Sequence, residues 1–195
     1  MTKRSSLIEV FSRQLGVKLN PEQEDLVLKA YREEHFKKKE ILFRNGDSNT
    51  RHYLINKGLL RLYLIDPKGK EINVLFAREN QIIGDLATPE PTNFNLETTE
   101  DSIVYSIDEK GLQSLMGLLD LNSNVDPNSA LRKSYIHIQK RLVSILSKTA
   151  EENYLDFQTK YPDLIQRLPQ YHVASYLGIS PEFLSKIIAK SVKKN

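Results

Sequence analysis

Cysteine is absent from the 195 residues, which excludes disulfides, thiolate metal sites, iron–sulfur clusters and cysteine nucleophiles. Histidine is sparse: His35, His52, His137 and His172 are scattered without ligand spacing, so no metal site is expected. Long apolar runs are missing, and Lys3, Arg4, Glu9 and Arg13 interrupt the N-terminus. Neither a signal peptide nor a membrane span is therefore expected, which makes a cytoplasmic protein without a membrane partner the default. No phosphate loop, nucleophile elbow or His-rich metal set is found, so neither enzymatic activity nor a cofactor is expected. The overall charge of +3 is too small to argue from.

The distribution of that charge says more. Residues 128–195 hold 11 of the 28 Lys and Arg and 5 of the 25 Asp and Glu, a net +6, which leaves 17 against 20, a net −3, for the remainder. A basic C-terminal third on a near-neutral body is the electrostatic footprint of a nucleic-acid reader attached to a sensor.

Within that third, residues 169–190, PQYHVASYLGISPEFLSKIIAK, read as two short amphipathic helices joined by a tight turn. Gly178 follows the first and can take the left-handed conformation that a helix C-terminus needs. Ser180-Pro181-Glu182 supplies a side-chain N-cap, a proline at the first helical position and an acid in the first turn of the second. Val173, Leu177, Ile179, Leu184 and Ile187 fall where two steeply crossed helices need apolar contact, and Ala174 is small where the second helix approaches. The combination resembles the helix-turn-helix of bacterial transcription regulators, whose second helix enters the DNA major groove. An ordinary helical hairpin inside a core is the alternative.

Upstream, Leu7, Ile8, Phe11 and Leu15 predict a helix ending at Gly16, and Asn20-Pro21-Glu22-Gln23 opens a second helix burying Leu26, Val27, Ala30 and Tyr31. Lys37-Lys38-Lys39 reads as a solvated face at a helix-to-strand junction. From Glu40 the pattern becomes short strands over 41–44, 53–55, 59–65, 71–76, 81–83 and 102–107, separated by turn residues, which indicates an antiparallel roll or barrel of about 70 residues. A helix over 108–119 follows, with Leu112, Leu115 and either Leu118 or Leu119 inward, then a polar loop over 122–128.

A long helix is predicted over 129–149. Leu131, Tyr135, Ile138, Leu142, Ile145 and Thr149 are spaced 4, 3, 4, 3, 4, a seam for a partner helix. Ile136, Val143, Leu146 and Ala150 form a second stripe about 100° around. Two apolar faces ask for two partners, unless one monomer buries the helix broadly. Glu151-Glu152-Asn153-Tyr154 starts another helix, with Tyr154, Leu155 and Phe157 or Gln158 inward and the two acids exposed, ending before Tyr161-Pro162. Asp163 is placed as the cap of a turn over 164–168.

The turns Asn45-Gly46-Asp47, Gly58, Gly69 and Gly84-Asp85-Leu86 resemble the β-roll, a double-stranded β-helix, of cyclic-nucleotide-binding domains. With the paired helices they make residues 35–190 similar to the family of the cyclic-AMP receptor protein and the fumarate-nitrate regulator (CRP/FNR). The resemblance implies an α+β fold with an N-terminal antiparallel β-roll and flanking helices over 1–127, a dimerisation helix over 128–149 and a helix-turn-helix domain over 150–195. It also implies a homodimer joined along Leu131, Tyr135, Ile138, Leu142 and Ile145, with the second stripe on the roll, and double-stranded DNA as partner. RNA polymerase is a further candidate partner.

In nucleotide-binding members the counterpart of Gly84-Asp85-Leu86 opens a phosphate-binding cassette, in which the acid meets the ribose and an arginine about ten residues later holds the cyclic phosphate. Here that place falls at about Thr92-Asn93, and no Lys or Arg occurs between Arg78 and Lys110. Without a permanent cation for the phosphate, cyclic AMP is not the expected ligand. The loop over 87–96 either closes a small pocket for an unknown effector, with Gly84, Asp85, Leu86 and Phe94, or fills it.

Docked by its N-terminus, the second helix would turn Ser180, Pro181, Glu182, Ser185 and Lys186 toward base edges, Glu182 accepting from a cytosine amino group and Lys186 donating to guanine. Relatives place arginine, glutamate and arginine at positions 1, 2 and 6 of this helix; Glu182 and Lys186 fit the last two, and Pro181 departs at the first. Gln170, Tyr171, Ser175 and Lys190, with Lys193 and Lys194, are expected at the phosphates. The two-stranded wing of many relatives is expected to be missing or cut short, since five residues follow Lys190. A sensor acting mainly through protein partners is the competing reading.

Overall fold

The computed structural model describes residues 3–48, 51–85, 91–119 and 129–192. Helix α1 (Lys3–Leu15) stops before Gly16, and α2 (Pro21–Ala30) opens on a reciprocal capping box: Asn20 Oδ1 accepts from the Gln23 amide at 2.9 Å, and Gln23 Oε1 accepts from the Asn20 amide at 3.0 Å. Two otherwise orphaned donors of the helix start are thereby satisfied.

Eight strands follow among the described residues: β1 (Arg32–Phe36), β2 (Ile41–Phe43), β3 (Arg51–Lys57), β4 (Leu60–Ile65), β5 (Glu71–Ala77), β6 (Ile82–Ile83), β7 (Asn95–Thr98) and β8 (Ser102–Asp108). They form two four-stranded sheets ordered β1-β8-β3-β6 and β2-β7-β4-β5. β8 runs antiparallel to β1 and β3, β6 to β3, and β7 to β2 and β4. The alternation of side chains along a strand feeds two cores. Tyr53, Ile55 and Val104 point between the sheets, with Phe43, Leu60, Leu62, Ile83 and Leu96. Their neighbours Leu54, Tyr105 and Ile107 point the other way, into a core with Leu7, Val10 and Phe11 of α1, Val27 of α2 and Leu115 of α3 (Glu109–Leu118). Gly58, at φ +108°, has no room for a side chain, because a Cβ would lie 2.1 Å from Ser102 Oγ.

The C-terminal part is helical: α4 (Ser129–Ser147), α5 (Ala150–Lys160), α6 (Pro162–Arg167), α7 (Gln170–Leu177) and α8 (Pro181–Val192). The chain resolves into two compact units, one of Met1–Leu64 with Leu75–Arg132 and the other of Ile65–Val74 with Lys133–Asn195. The α+β class, the antiparallel roll and the terminal helices are those expected from the sequence, and no described helix is long and apolar enough to cross a membrane.

Several local expectations are corrected. The charged segment Arg32–Phe36 is a strand, tolerated because it lies at a sheet edge where its polar side chains reach water. Asn95–Thr98 is also a strand, starting at the end of the loop expected over 87–96 and running past it. Leu119 is buried and Leu118 exposed. α4 ends at Ser147, and Thr149 caps α5 instead of closing the seam: its hydroxyl accepts from the Glu152 amide, and the Glu152 carboxylate accepts from the Thr149 amide at 2.8 Å. Tyr154 and Phe157 are buried as expected, but Leu155 is exposed. Pro162 begins α6 with Tyr161 in the cap position, so Asp163 lies in its first turn, 3.8 Å from Arg167. The loop over 122–128 lies outside the described residues.

Candidate nucleic-acid interface

The turn between α7 and α8 is built from local chemistry. Gly178 closes α7 in the left-handed region at φ +72°, and the Ile179 amide returns to the Ala174 carbonyl at 3.1 Å. Ser180 Oγ accepts from the Phe183 amide at 3.2 Å, and Pro181 is the first residue of α8. Val173 and Ala174 of α7 and Leu184 and Ile187 of α8 are buried. Their burial fixes the rotation of α8 about its axis.

The opposite side of α8 carries Glu182, Ser185, Lys186 and Lys190, all exposed, with Ser180 and Pro181 exposed at its start. The helix's own amide at Glu182, then the Ser180 side chain, and more weakly Lys186 hold the Glu182 carboxyl below the usual carboxylate range. It remains an ionised acceptor at neutral pH. Ser185 donates its hydroxyl hydrogen to the Pro181 carbonyl at 3.0 Å, which leaves its oxygen as an acceptor. Lys190 pairs with Glu151 of α5 at 2.6 Å and would have to exchange that carboxylate for a phosphate. Gln170 and Tyr171 are exposed at the start of α7. Lys193 and Lys194 lie outside the described residues.

Ser175 corrects an expectation. Its hydroxyl donates to the Glu71 carbonyl and accepts from the Asn73 amide, both at 2.9 Å, so it is engaged by the 65–74 hairpin. Two residues that no sequence pattern singles out complete this junction. The buried Asn73 side-chain amide lies 3.2 Å from both His172 Nδ1 and the His172 carbonyl. Arg141 of α4 donates to the carbonyls of Val74 at 2.6 Å, Asn73 at 3.3 Å and Tyr176 at 2.8 Å, with its guanidinium 4.1 Å from the Tyr176 ring centre. These bonds join α4, the hairpin and α7 into one scaffold. Because the partners are backbone groups distant in sequence, no spacing pattern announces them.

Along α4, Tyr135, Ile138, Leu142 and Ile145 are 45–61% exposed. The second stripe, Ile136, Val143 and Leu146, is also exposed. The side chain of Leu131 lies outside the described residues. Exposed apolar side chains this large and this closely spaced are uncommon on a surface that stays in water.

In the roll, Asp85 accepts from the Thr92 hydroxyl at 2.5 Å, and Thr92 Oγ1 in turn accepts from the Phe94 amide at 3.1 Å. Thr92 is buried, and Phe94 packs against the core between the sheets. Gly84 lies against β3, where a Cβ would come 2.6 Å from the Arg51 carbonyl oxygen. Leu86 lies outside the described residues. The Thr92 hydroxyl is thus a neutral group already bonded to the Asp85 carboxylate.

A family model, "Cyclic nucleotide-binding domain", matches residues 33–117. No curated protein matches the sequence. Among solved structures the chain is similar to FixK2 from Bradyrhizobium japonicum, with a TM-score of 0.70 at 16% identity over 84% of this chain and 85% of that one. It is similar to the c-di-GMP-responsive global regulator CLP of Xanthomonas campestris, at 0.70 and 12% over 90% and 93%. A mutant of CooA from Carboxydothermus hydrogenoformans gives 0.67 and 19% over 100% and 87%. At these identities the likeness is one of fold.

Proposed function

We propose that the chain is a DNA-binding transcription regulator of the CRP/FNR kind, working as a homodimer on a palindromic operator; the match of residues 33–117 to the cyclic nucleotide-binding domain and the likeness of the fold to FixK2 and CooA support this reading. One observation carries this reading: α8 is anchored by Leu184 and Ile187 while Glu182, Ser185 and Lys186 stand exposed on its N-terminal half. A carboxylate acceptor and an ammonium donor one turn apart on a capped helix end are suited to base edges in the major groove. Gln170 and Tyr171 sit at the adjoining helix start, where backbone phosphates are met. A single such element reads few base pairs, so two copies held by α4 would address half-sites about 34 Å apart. RNA polymerase is the partner such a regulator would meet at a promoter.

Selection from a random duplex pool tests the reading. Enrichment of a two-fold symmetric motif is expected, and no enrichment would defeat it in favour of a role through protein partners. The roll is read as a degenerate sensor, because the Thr92–Asp85 bond occupies the polar end of the cassette. Calorimetry with cyclic AMP is expected to give no heat of binding at micromolar concentrations; micromolar binding lost in Asp85→Ala would reverse that reading.

A further inference from the structure

α8 carries one exposed aromatic residue, which the polar reading of its face does not use. Phe183 is 48% exposed, whereas the other exposed positions of the helix are Pro181, Glu182, Ser185, Lys186, Ala189 and Lys190. Its place is fixed on both sides: its own amide is held by Ser180 Oγ, and the next residue, Leu184, is fully buried. On a helix, positions 183, 186 and 190 follow one flank, so the ring shares its side with Lys186 and Lys190. A large ring left half in water forgoes apolar burial that an inward position would gain. Flanked by Lys186 and by Lys190, the latter paired with Glu151, in the basic part of the chain, it is suited to a polyanion that offers one apolar group.

The major groove offers such a group. Among the base edges exposed there, only thymine presents a methyl, and contact with it distinguishes thymine from the other bases. We propose that Phe183 packs its ring against the 5-methyl group of a thymine in each half-site, making it a specificity-determining residue beside Glu182 and Lys186. This rests on the reading of the chain as a dimeric DNA-binding regulator.

The test uses the full chain and a duplex selected from a random pool, in which each thymine is replaced in turn by deoxyuridine, removing the methyl and nothing else. For the unaltered protein, one symmetric pair of replacements is expected to weaken binding about 4-fold per half-site and about 15-fold for both together, the worth of one buried methyl at each. Phe183→Ala should bind thymine and deoxyuridine duplexes equally, and Phe183→Leu should keep part of the difference. Specific binding by the unaltered protein that is indifferent to every replacement would overturn the inference while leaving the DNA-binding reading intact, as would a Phe183→Ala protein that still discriminates. Failure to select any duplex would remove the DNA-binding reading and this inference with it. The replacement series on the unaltered protein needs no variant to fold.

Discussion

A chain carrying both Ile138→Asp and Leu142→Asp is expected to run as a monomer in light scattering at micromolar concentration, where the unaltered chain runs as a dimer, and to lose about 100- to 10,000-fold in operator affinity. The two residues are 61% and 55% exposed in the single chain, so the substitutions place carboxylates in water and cost the fold of the subunit little. In a symmetric helix pair the same substitutions bury four carboxylates. At an effective penalty of several kcal/mol per ion, they exceed the about 8 kcal/mol that holds a micromolar association together. The loss on DNA follows from avidity, since a monomer forfeits the effective concentration that the first half-site confers on the second. A dimer that persists in the double variant, or an unaltered chain that is monomeric, would remove the seam.

Arg141→Ala is expected to lower the melting temperature by about 6–12 °C, the equivalent of about 3 kcal/mol for a chain of this size, and to abolish operator binding. The guanidinium reaches three carbonyls from two other elements and stacks on Tyr176. Burial depresses its pKa, an effect partly offset by Tyr176 and Tyr161. Hydrogen bonds to a charged group are worth about 1.5–3 kcal/mol each, and the carbonyls left behind keep their desolvation cost. Arg141→Lys preserves the charge but not the planar fork of donors, so it should recover little. The readout that separates anchoring from a general loss of fold is hydrogen exchange: amides of α7 and α8 should lose protection while those of β3 and β8 keep it. Unchanged melting and unchanged operator affinity in Arg141→Ala would show that the clamp holds nothing.

The parts legible in the sequence are those whose cause is local. Asn20 to Gln23, Gly178 and Ser180-Pro181 each dictate a helix end within a few residues, and the structure places helix ends there. The alternation in β3 and β8 was likewise legible. β1 was not: its sequence, Arg-Glu-Glu-His-Phe, has no apolar period, and it becomes a strand because β8 supplies the pairing from 66 to 74 residues away. Thr149 was read as the last position of the seam because the 3–4 spacing reached it, although the pattern Thr-x-x-Glu formed with Glu152 is a capping box that could have been recognised. Phe183 was absorbed into an amphipathic pattern that allots exposed positions to polar residues. Arg141 and Asn73 leave no pattern in the sequence, since what they bind, backbone carbonyls and the His172 ring, is brought to them by the fold.

The C-terminal module is discontinuous in the chain: ten residues inserted from the middle of the polypeptide, Ile65–Val74, belong with it. Their carbonyls and the Asn73 side chain satisfy Arg141, Ser175 and His172. Excision at residue 133 would therefore leave these three groups facing solvent, and a portable version of the module has to carry the donated ribbon as a grafted segment or receive it as a separate peptide.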